Sequence, residues 1–383
     1  MKIIYILKSF AQLAGTERVV ADKINYLAQN GYIITLVTYE QGNHPLAYTL
    51  FHNVKHIDLN TRFFTLYKYP LFARSIYYFK LLRIFRKRLQ KTVNEQKPDY
   101  IITTTYSLKV AKDILRVKGN ARTIMESHIS HDSVIRHHDF KKNSLSRFIF
   151  KLYDKRNLRI LREFDHFITL TKEDSIQWNK CGIWTKVIPN PVTKYPEDIP
   201  PKKICRNRII AAGRLNHQKG FDKLIDAFSL ISPKYPNWRI DIFGQGELER
   251  ELSSQIISKG LEGRITIHQP TKNIYKEYLQ SDFYVLSSKF EGFGLVLIEA
   301  MSCGIPVVSF DCPYGPKEIV TDSQEGFLVE NGNVGQLAEK MEWMINHEEE
   351  RTIMGEQARI TAKKYEINRI MIEWEKLFTN GLK

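Results

Sequence analysis

Cysteine is scarce in this chain: the 383 residues contain four, Cys181, Cys205, Cys303 and Cys312. Their spacing fits neither a metal-ligand set nor a dense disulfide framework, so cysteine chemistry does not hold the fold, and reduced thiols in a cytosolic setting are expected. Long apolar runs are missing too. None approaches the roughly 18 residues of a membrane-spanning helix, and the N-terminal run Ile3 to Leu7 is cut by Lys8 before it reaches the length of a secretory segment. That run reads as a first strand, and export is not expected. No Asp-x-Asp pair occurs, so neither a metal nor a resident cofactor is expected.

Acidic residues are absent from one whole stretch, between Asp58 and Glu95, which holds nine Lys and Arg among many aromatic side chains. On a helical wheel Leu71, Tyr78, Leu82, Phe85 and Leu89 share one face, with Lys80, Arg83, Lys87 and Lys91 opposite. Residues 141–162 repeat the pattern, eight Lys and Arg against Asp154. Residues 1–200 carry 33 Lys and Arg against 17 Asp and Glu; residues 201–383 carry 24 against 25. All the surplus positive charge belongs to the first half, which points to an anionic partner there, a membrane surface or a nucleic acid. The plainer account of the basic helix is a docked helix with a solvated face. No recognisable RNA-binding motif is present, and no nucleic-acid partner is expected.

With 43% hydrophobic and 26% charged residues the chain is of ordinary globular composition and long enough for two domains. Strand signals at Lys2–Leu7, Ile33–Thr38, Tyr100–Thr103 and Arg122–Ser127 alternate with helical ones, which predicts an α/β fold with parallel sheets. Residues 187–201 hold five of the fourteen prolines, a stiff connector. The pattern restarts at Arg208–Ala212, followed by Gly213-Arg214 and Lys219-Gly220 in one strand-to-helix loop. Two cations five residues apart could reach a diphosphate from both sides, Arg214 as a planar fork and Lys219 as a point charge. Gly244-Gln245-Gly246 is a further, weaker phosphate-type loop. Phe283–Leu286 is then a strand, Gly292 and Gly294 open a turn, and Leu295 to Ser302 is helical. Glu291 falls just before that helix, and Glu299 lies inside it, about two turns beyond Glu291. Carboxylates accept hydrogen bonds only, which suits them to sugar hydroxyls. For an isolated pair at this spacing a helix cap and a surface ion pair would be the simpler account.

Glu291-Gly292-Phe293-Gly294-Leu295 followed by Glu299-Ala300-Met301-Ser302-Cys303-Gly304 resembles the donor-binding motif of retaining GT-B glycosyltransferases, family 4 in particular. Ala14-Gly15-Thr16-Glu17-Arg18 is similar to the family's Gly-Gly-x-Glu-Arg segment, with Ala14 in place of the first glycine. The resemblance implies two Rossmann-like, doubly wound parallel-sheet domains facing across a cleft. It places an acceptor-binding domain at 1–190, a donor-binding domain at 191–365, and a last helix, 366–383, crossing back to the first domain. It implies that Glu291 and the turn formed by Gly292, Phe293, Gly294 and Leu295 hold the donor sugar, and that Glu299 holds the ribose. Gly213, Arg214 and Lys219 would take the diphosphate, Gly244 would let the nucleotide lie close, and Gly15 and Thr16 would admit substrate, unless Gly15 is an ordinary turn glycine. A histidine past the carboxyl end of a strand carries over to His128, facing the sugar and reacting phosphate, with His131, His137 and His138 as loop histidines more simply read as solvated.

The implied activity is retaining transfer from a nucleotide diphosphosugar, UDP by family frequency, to a glycan acceptor, lipid-linked where the basic half meets an anionic membrane. The setting would be bacterial surface polysaccharide synthesis at the inner face of the cell membrane. A GT-B-like epimerase or phosphorylase would share the fold and the phosphate grip. An RNA-binding protein would need only the basic half.

Overall fold

The computed structural model describes residues 1–135, 144–197 and 206–380. His137, His138, Cys205 and the ends of the basic run and of the proline-rich connector lie outside the described residues. The chain divides into two compact units, Met1–Ile188 and Pro189–Lys383.

The first unit runs β1 (Lys2–Leu7), α1 (Gly15–Gln29), β2 (Ile33–Thr38), β3 (Lys55–Asp58), α2 (Leu71–Gln96), β4 (Tyr100–Thr104), α3 (Leu108–Val117), β5 (Arg122–Glu126), α4 (His131–Ile135), α5 (Ser144–Leu161), β6 (His166–Thr169), α6 (Lys172–Lys180) and β7 (Lys186–Val187). Its seven strands pair in the order β3-β2-β1-β4-β5-β6-β7, all parallel. Order reverses between β1 and β4, the switch point at which doubly wound sheets open a crevice beyond the strands' carboxyl ends. β1 and β4 are buried on both faces, as parallel strands covered by helices must be. Phe85, Leu89 and Val93 of α2 pack with Val110 and Ile114 of α3 on Ile4, Ile6 and Ile101. The expected apolar face of α2 is inward, Leu82 packing on the same core and Tyr78 on Phe63. Phe72, Ile76 and Phe79, off that face in its first half, are turned outward.

The second unit runs β8 (Arg208–Ala212), α7 (Phe221–Ile231), β9 (Arg239–Phe243), α8 (Glu249–Ser258), β10 (Ile265–His268), α9 (Ile274–Leu279), β11 (Phe283–Leu286), α10 (Leu295–Ser302), β12 (Val307–Phe310), α11 (Pro316–Ile319), β13 (Gly326–Val329), α12 (Val334–Asn346), α13 (Glu348–Ala362) and α14 (Ile367–Asn380). Its strands pair in the order β10-β9-β8-β11-β12-β13, again all parallel, with the switch point between β8 and β11. Leu224, Ile225 and Phe228 of α7 and Leu337, Met341 and Met344 of α12 close one continuous core over Ile209, Ile240 and Val285. Strand signals in the sequence also mark β6 at His166, β9 at Ile240–Phe243 and β12 at Pro306–Phe310, whereas β3, β7, β10 and β13 carry none that was legible. All four are short strands at sheet edges, and β3, β7 and β10 are partly polar as well.

Candidate active site

In the second unit the loops that leave the carboxyl ends of β8, β9, β11 and β12 are bonded to one another. Gly213 N–H donates to Phe243 O at 3.0 Å and Leu215 N–H to Gln245 O at 2.9 Å, so the β8 loop lies on the β9 loop. A Cβ on Gly244 would sit 1.9 Å from Gly213 O, closer than any real contact, which explains glycine at that place without invoking a ligand. On the other side Lys289 N–H donates to Gln218 O at 2.8 Å and Ser287 Oγ to Lys219 O at 3.0 Å. Gly220, with φ +60°, would bring a Cβ to 2.2 Å from Ser287 O. The two strands of the switch point thus present one joined platform.

On that platform Lys219 Nζ meets Glu291 Oε1 at 2.7 Å, the side chains 15% and 8% exposed. Residues 72 apart in sequence become one ion pair in a place poor in water. Arg214, in the same loop as Lys219, is exposed, and its guanidinium has no hydrogen-bond or ion-pair partner among the described residues. Glu291 N–H donates to Pro313 O at 3.1 Å, which fixes the turn. Gly294, at φ +93°, caps α10; Phe293 is buried edge-on against Tyr365, ring centroids 5.7 Å apart. Leu297 N–H of the first turn of α10 donates to Gly294 O at 2.8 Å, while the Leu295 and Val296 amides have no carbonyl one turn back and suit anionic or hydroxyl oxygens. Glu299 lies buried on α10, with Tyr278 Oη 3.5 Å from its Oε2. Gly213, Arg214, Lys219, Gly244, Gly292, Phe293, Gly294, Leu295, Glu291 and Glu299 thus belong to one region, at the end of the sheet where such folds bind ligands.

A cavity of about 590 Å³ opens at the other end of β8, lined by Arg206, Arg208, Arg239, Asp241 and Lys276 among others. There Arg208 pairs with Asp241 at 2.5 Å and with Glu277 at 2.7 Å, and His268 with Asp241 at 2.7 Å. Charges so paired pin β8, β9 and α9 to one another.

Gly15, Thr16 and His128 belong to the first unit. Gly15 opens α1, with Ala14 extended before it. His128 stands two residues past the end of β5 and is buried, its Nε2 2.8 Å from Glu126 Oε2. The same carboxylate oxygen takes Lys23 Nζ at 2.5 Å. Burial alone would raise the Glu126 carboxyl, but the Lys23 ammonium and His128 outweigh it and bring it down to about 2. Burial lowers Lys23 against the pull of Glu126, and raises the Tyr5 phenol beneath it. Neither Lys23 nor Glu126 was singled out in the sequence. A lysine on an amphipathic helix and a glutamate closing a strand read as surface residues, and only the fold brings them under one histidine. His131 departs from the expected solvated histidine. It is buried, starts α4, and touches Asp132 Oδ1 at 3.0 Å and Cys181 Sγ at 3.3 Å; its N–H donates to Asp174. Among the described residues no three His, Cys, Asp or Glu side chains group as metal ligands.

Comparison with known proteins completes the picture. Residues 13–194 match the family model described as Glycosyltransferase Family 4, and residues 197–361 that described as Glycosyl transferases group 1. The amylovoran biosynthesis glycosyltransferase AmsD of Erwinia amylovora is 24% identical over 97% of this chain and 98% of its own. The Campylobacter jejuni N-acetylgalactosamine-N,N'-diacetylbacillosaminyl-diphospho-undecaprenol 4-alpha-N-acetylgalactosaminyltransferase is 28% identical over 66% of this chain and 68% of its own. Among solved structures, a point mutant of Staphylococcus aureus TarM in complex with fondaparinux, alpha-GlcNAc-glycerol and UDP superposes with a TM-score of 0.81 at 17% identity, covering 98% of this chain and 99% of that one. With both halves matched, two Rossmann-like sheets and the glutamate motif seated at the second switch point, the chain belongs to glycosyltransferase family 4 and is a GT-B glycosyltransferase.

Proposed function

We propose that the enzyme moves a sugar from a UDP-sugar to a lipid-linked glycan acceptor, with retention of anomeric configuration, in the synthesis of a bacterial surface polysaccharide. The observation that carries the donor reading is the Lys219–Glu291 pair at the β8/β11 switch point. It joins a cation fit for a diphosphate to a carboxylate fit for sugar hydroxyls, beside the exposed guanidinium of Arg214 and the amides of α10. Arg214 and Lys219 neutralise the charge that builds on the departing diphosphate, the main catalytic contribution. Glu291 and the Gly292–Leu295 turn orient the sugar, Glu299 takes the ribose, and His128 faces the reacting centre. The acceptor hydroxyl gives its proton to a leaving phosphate oxygen, so that no carboxylate nucleophile and no metal enter.

The acceptor reading draws support from the first unit's surface. Phe72 and Phe79 of α2 are 84% and 69% exposed and stand among the exposed Lys80, Arg83 and Lys87. Phe148, Ile149 and Leu152 of α5 are exposed with Lys151 and Lys155. Arg156 of α5 comes near enough to Tyr78 of α2 to act on its phenol. Apolar rings ringed by cations suit the headgroup level of an anionic leaflet, at the inner face of the cell membrane. No helix among the described residues is long and apolar enough to cross a membrane, and the Campylobacter relative is named for a diphospho-undecaprenol acceptor.

The test is a panel of nucleotide sugars offered to wild type and Glu291→Gln, followed by nucleoside diphosphate release and thermal shift. One donor should raise the wild-type Tm by several degrees and be turned over, and the variant should lose both effects. If no nucleotide sugar binds, the donor reading is wrong. The H1–H2 coupling constant of the first product measures whether the anomeric configuration is kept.

A further inference from the structure

We propose that Glu126 is the positioning residue of His128, holding the imidazole by Nε2 so that Nδ1 is the nitrogen turned to substrate, and that Lys23 fixes the charge of Glu126 for that task. The proposal rests on the reading of His128 as a group at the reacting centre. Three elements build the arrangement. β5 ends on Glu126, the following turn brings His128 back within 2.8 Å of Glu126 Oε2, and Lys23 arrives from α1 at 2.5 Å from the same oxygen. Each of the three side chains is buried. Tyr5 of β1 lies beneath Lys23, its ring centroid 5.9 Å from Nζ.

The chemistry follows from the charges. Lys23 Nζ donates to Glu126, so this carboxylate stays ionised and can only accept. The imidazole nitrogen that faces it must therefore carry a proton. In neutral His128 that leaves Nδ1 bare, and among the described residues Nδ1 makes no hydrogen bond. The partner of one ring nitrogen thus decides the chemistry of the other.

Two double variants separate positioning from packing. Lys23→Met with Glu126→Leu replaces the buried pair by apolar side chains and removes the acceptor; such replacements leave stability nearly unchanged in many proteins. Lys23→Met with Glu126→Gln removes both charges but restores an acceptor for Nε2–H. Selective ¹⁵N-histidine labelling of the full chain reads the tautomer, with His128→Ala assigning the resonance. Wild type should be the Nε2–H form. The Leu double variant should become a mixture, with kcat down roughly 10- to 100-fold and the donor KM within about 3-fold of wild type. The Gln double variant should recover the tautomer and most of kcat. An unchanged tautomer in the Leu double variant, or an unchanged kcat, would overturn the proposal. His128→Ala separately judges the reading beneath it: if that variant keeps full kcat, His128 is not at the reacting centre, whatever its tautomer.

Discussion

Glu126 accepts from both Lys23 and His128 on one oxygen, and the cost of protonating it sets an acid limit. A glutamate of the unfolded chain titrates near about 4.3; in the folded protein this one titrates at about 2. Between those values the unfolded chain binds more protons, so stability rises with pH there. The contribution, on the order of 3 kcal/mol, is complete above about pH 4.3 and is lost as pH falls towards 2. Between pH 5.5 and 3, wild type should therefore lose more Tm than the Lys23→Met/Glu126→Leu variant, in which every other carboxylate is retained; parallel losses would contradict the assignment. Lys219 and Glu291 invite a companion test. Lys219→Met alone leaves a mostly buried carboxylate without its cation, which typically costs about 3–5 kcal/mol. Adding Glu291→Gln should restore much of the lost Tm but not turnover, with kcat down about 100- to 1,000-fold as for the loss of other transition-state charge partners. Recovery of turnover with Tm would mean that the pair only holds two loops together. Of these residues the sequence announced Glu291 and Lys219, because a glycine-rich turn before an apolar helix is a local pattern. It was silent on Lys23 and Glu126, whose meaning depends on a sheet that sets residues 103 apart side by side.

At the level of elements, central strands were legible and edge strands were not. β1, β4, β8 and β11 are apolar throughout or nearly so, since helices cover both faces. Lys55-His56-Ile57-Asp58 and the two-residue β7 have no such signature. Loops gave a mixed result. The Gly244-Gln245-Gly246 turn looked like a phosphate loop, yet its first glycine is required by the carbonyl of Gly213. Gly244→Ala should consequently destabilise the second unit by about 1–3 kcal/mol, the usual penalty of forcing atoms into filled space, with urea denaturation of the full chain as the measure; an unchanged midpoint would count against the close packing of these loops. The helical wheel places the inward face of α2 where Leu82, Phe85 and Leu89 pack on the core, and Phe72, Ile76 and Phe79, off that face, stay exposed. Phe72→Ser with Phe79→Ser tests what the free half does. Both side chains are exposed, so Tm should move by less than about 1 °C, while sedimentation with phosphatidylglycerol vesicles should fall several-fold. Binding unchanged by the two substitutions would remove α2 from the membrane reading.

Across the whole molecule the charge divides as the two units do, 33 Lys and Arg against 17 Asp and Glu in residues 1–200 and near balance beyond. Raising salt from about 50 to 300 mM, which shortens the screening length to under 6 Å or so, should therefore cut vesicle binding by about tenfold or more. Donor turnover in vesicle-free solution should change by less than about twofold, since Lys219 and Glu291 meet where water is scarce. Equal salt sensitivity of the two activities would show that they share one electrostatic origin. Each unit also closes its own hydrophobic core around its own sheet, with the same order of strands about the switch point. In genetic terms, this makes the stretch near Ile188 a seam. Substitutions that redraw the aromatic and basic face of the first unit leave the packing under Lys219 and Glu291 untouched, and recombination at the seam between related genes hands on one half whole while the other diversifies.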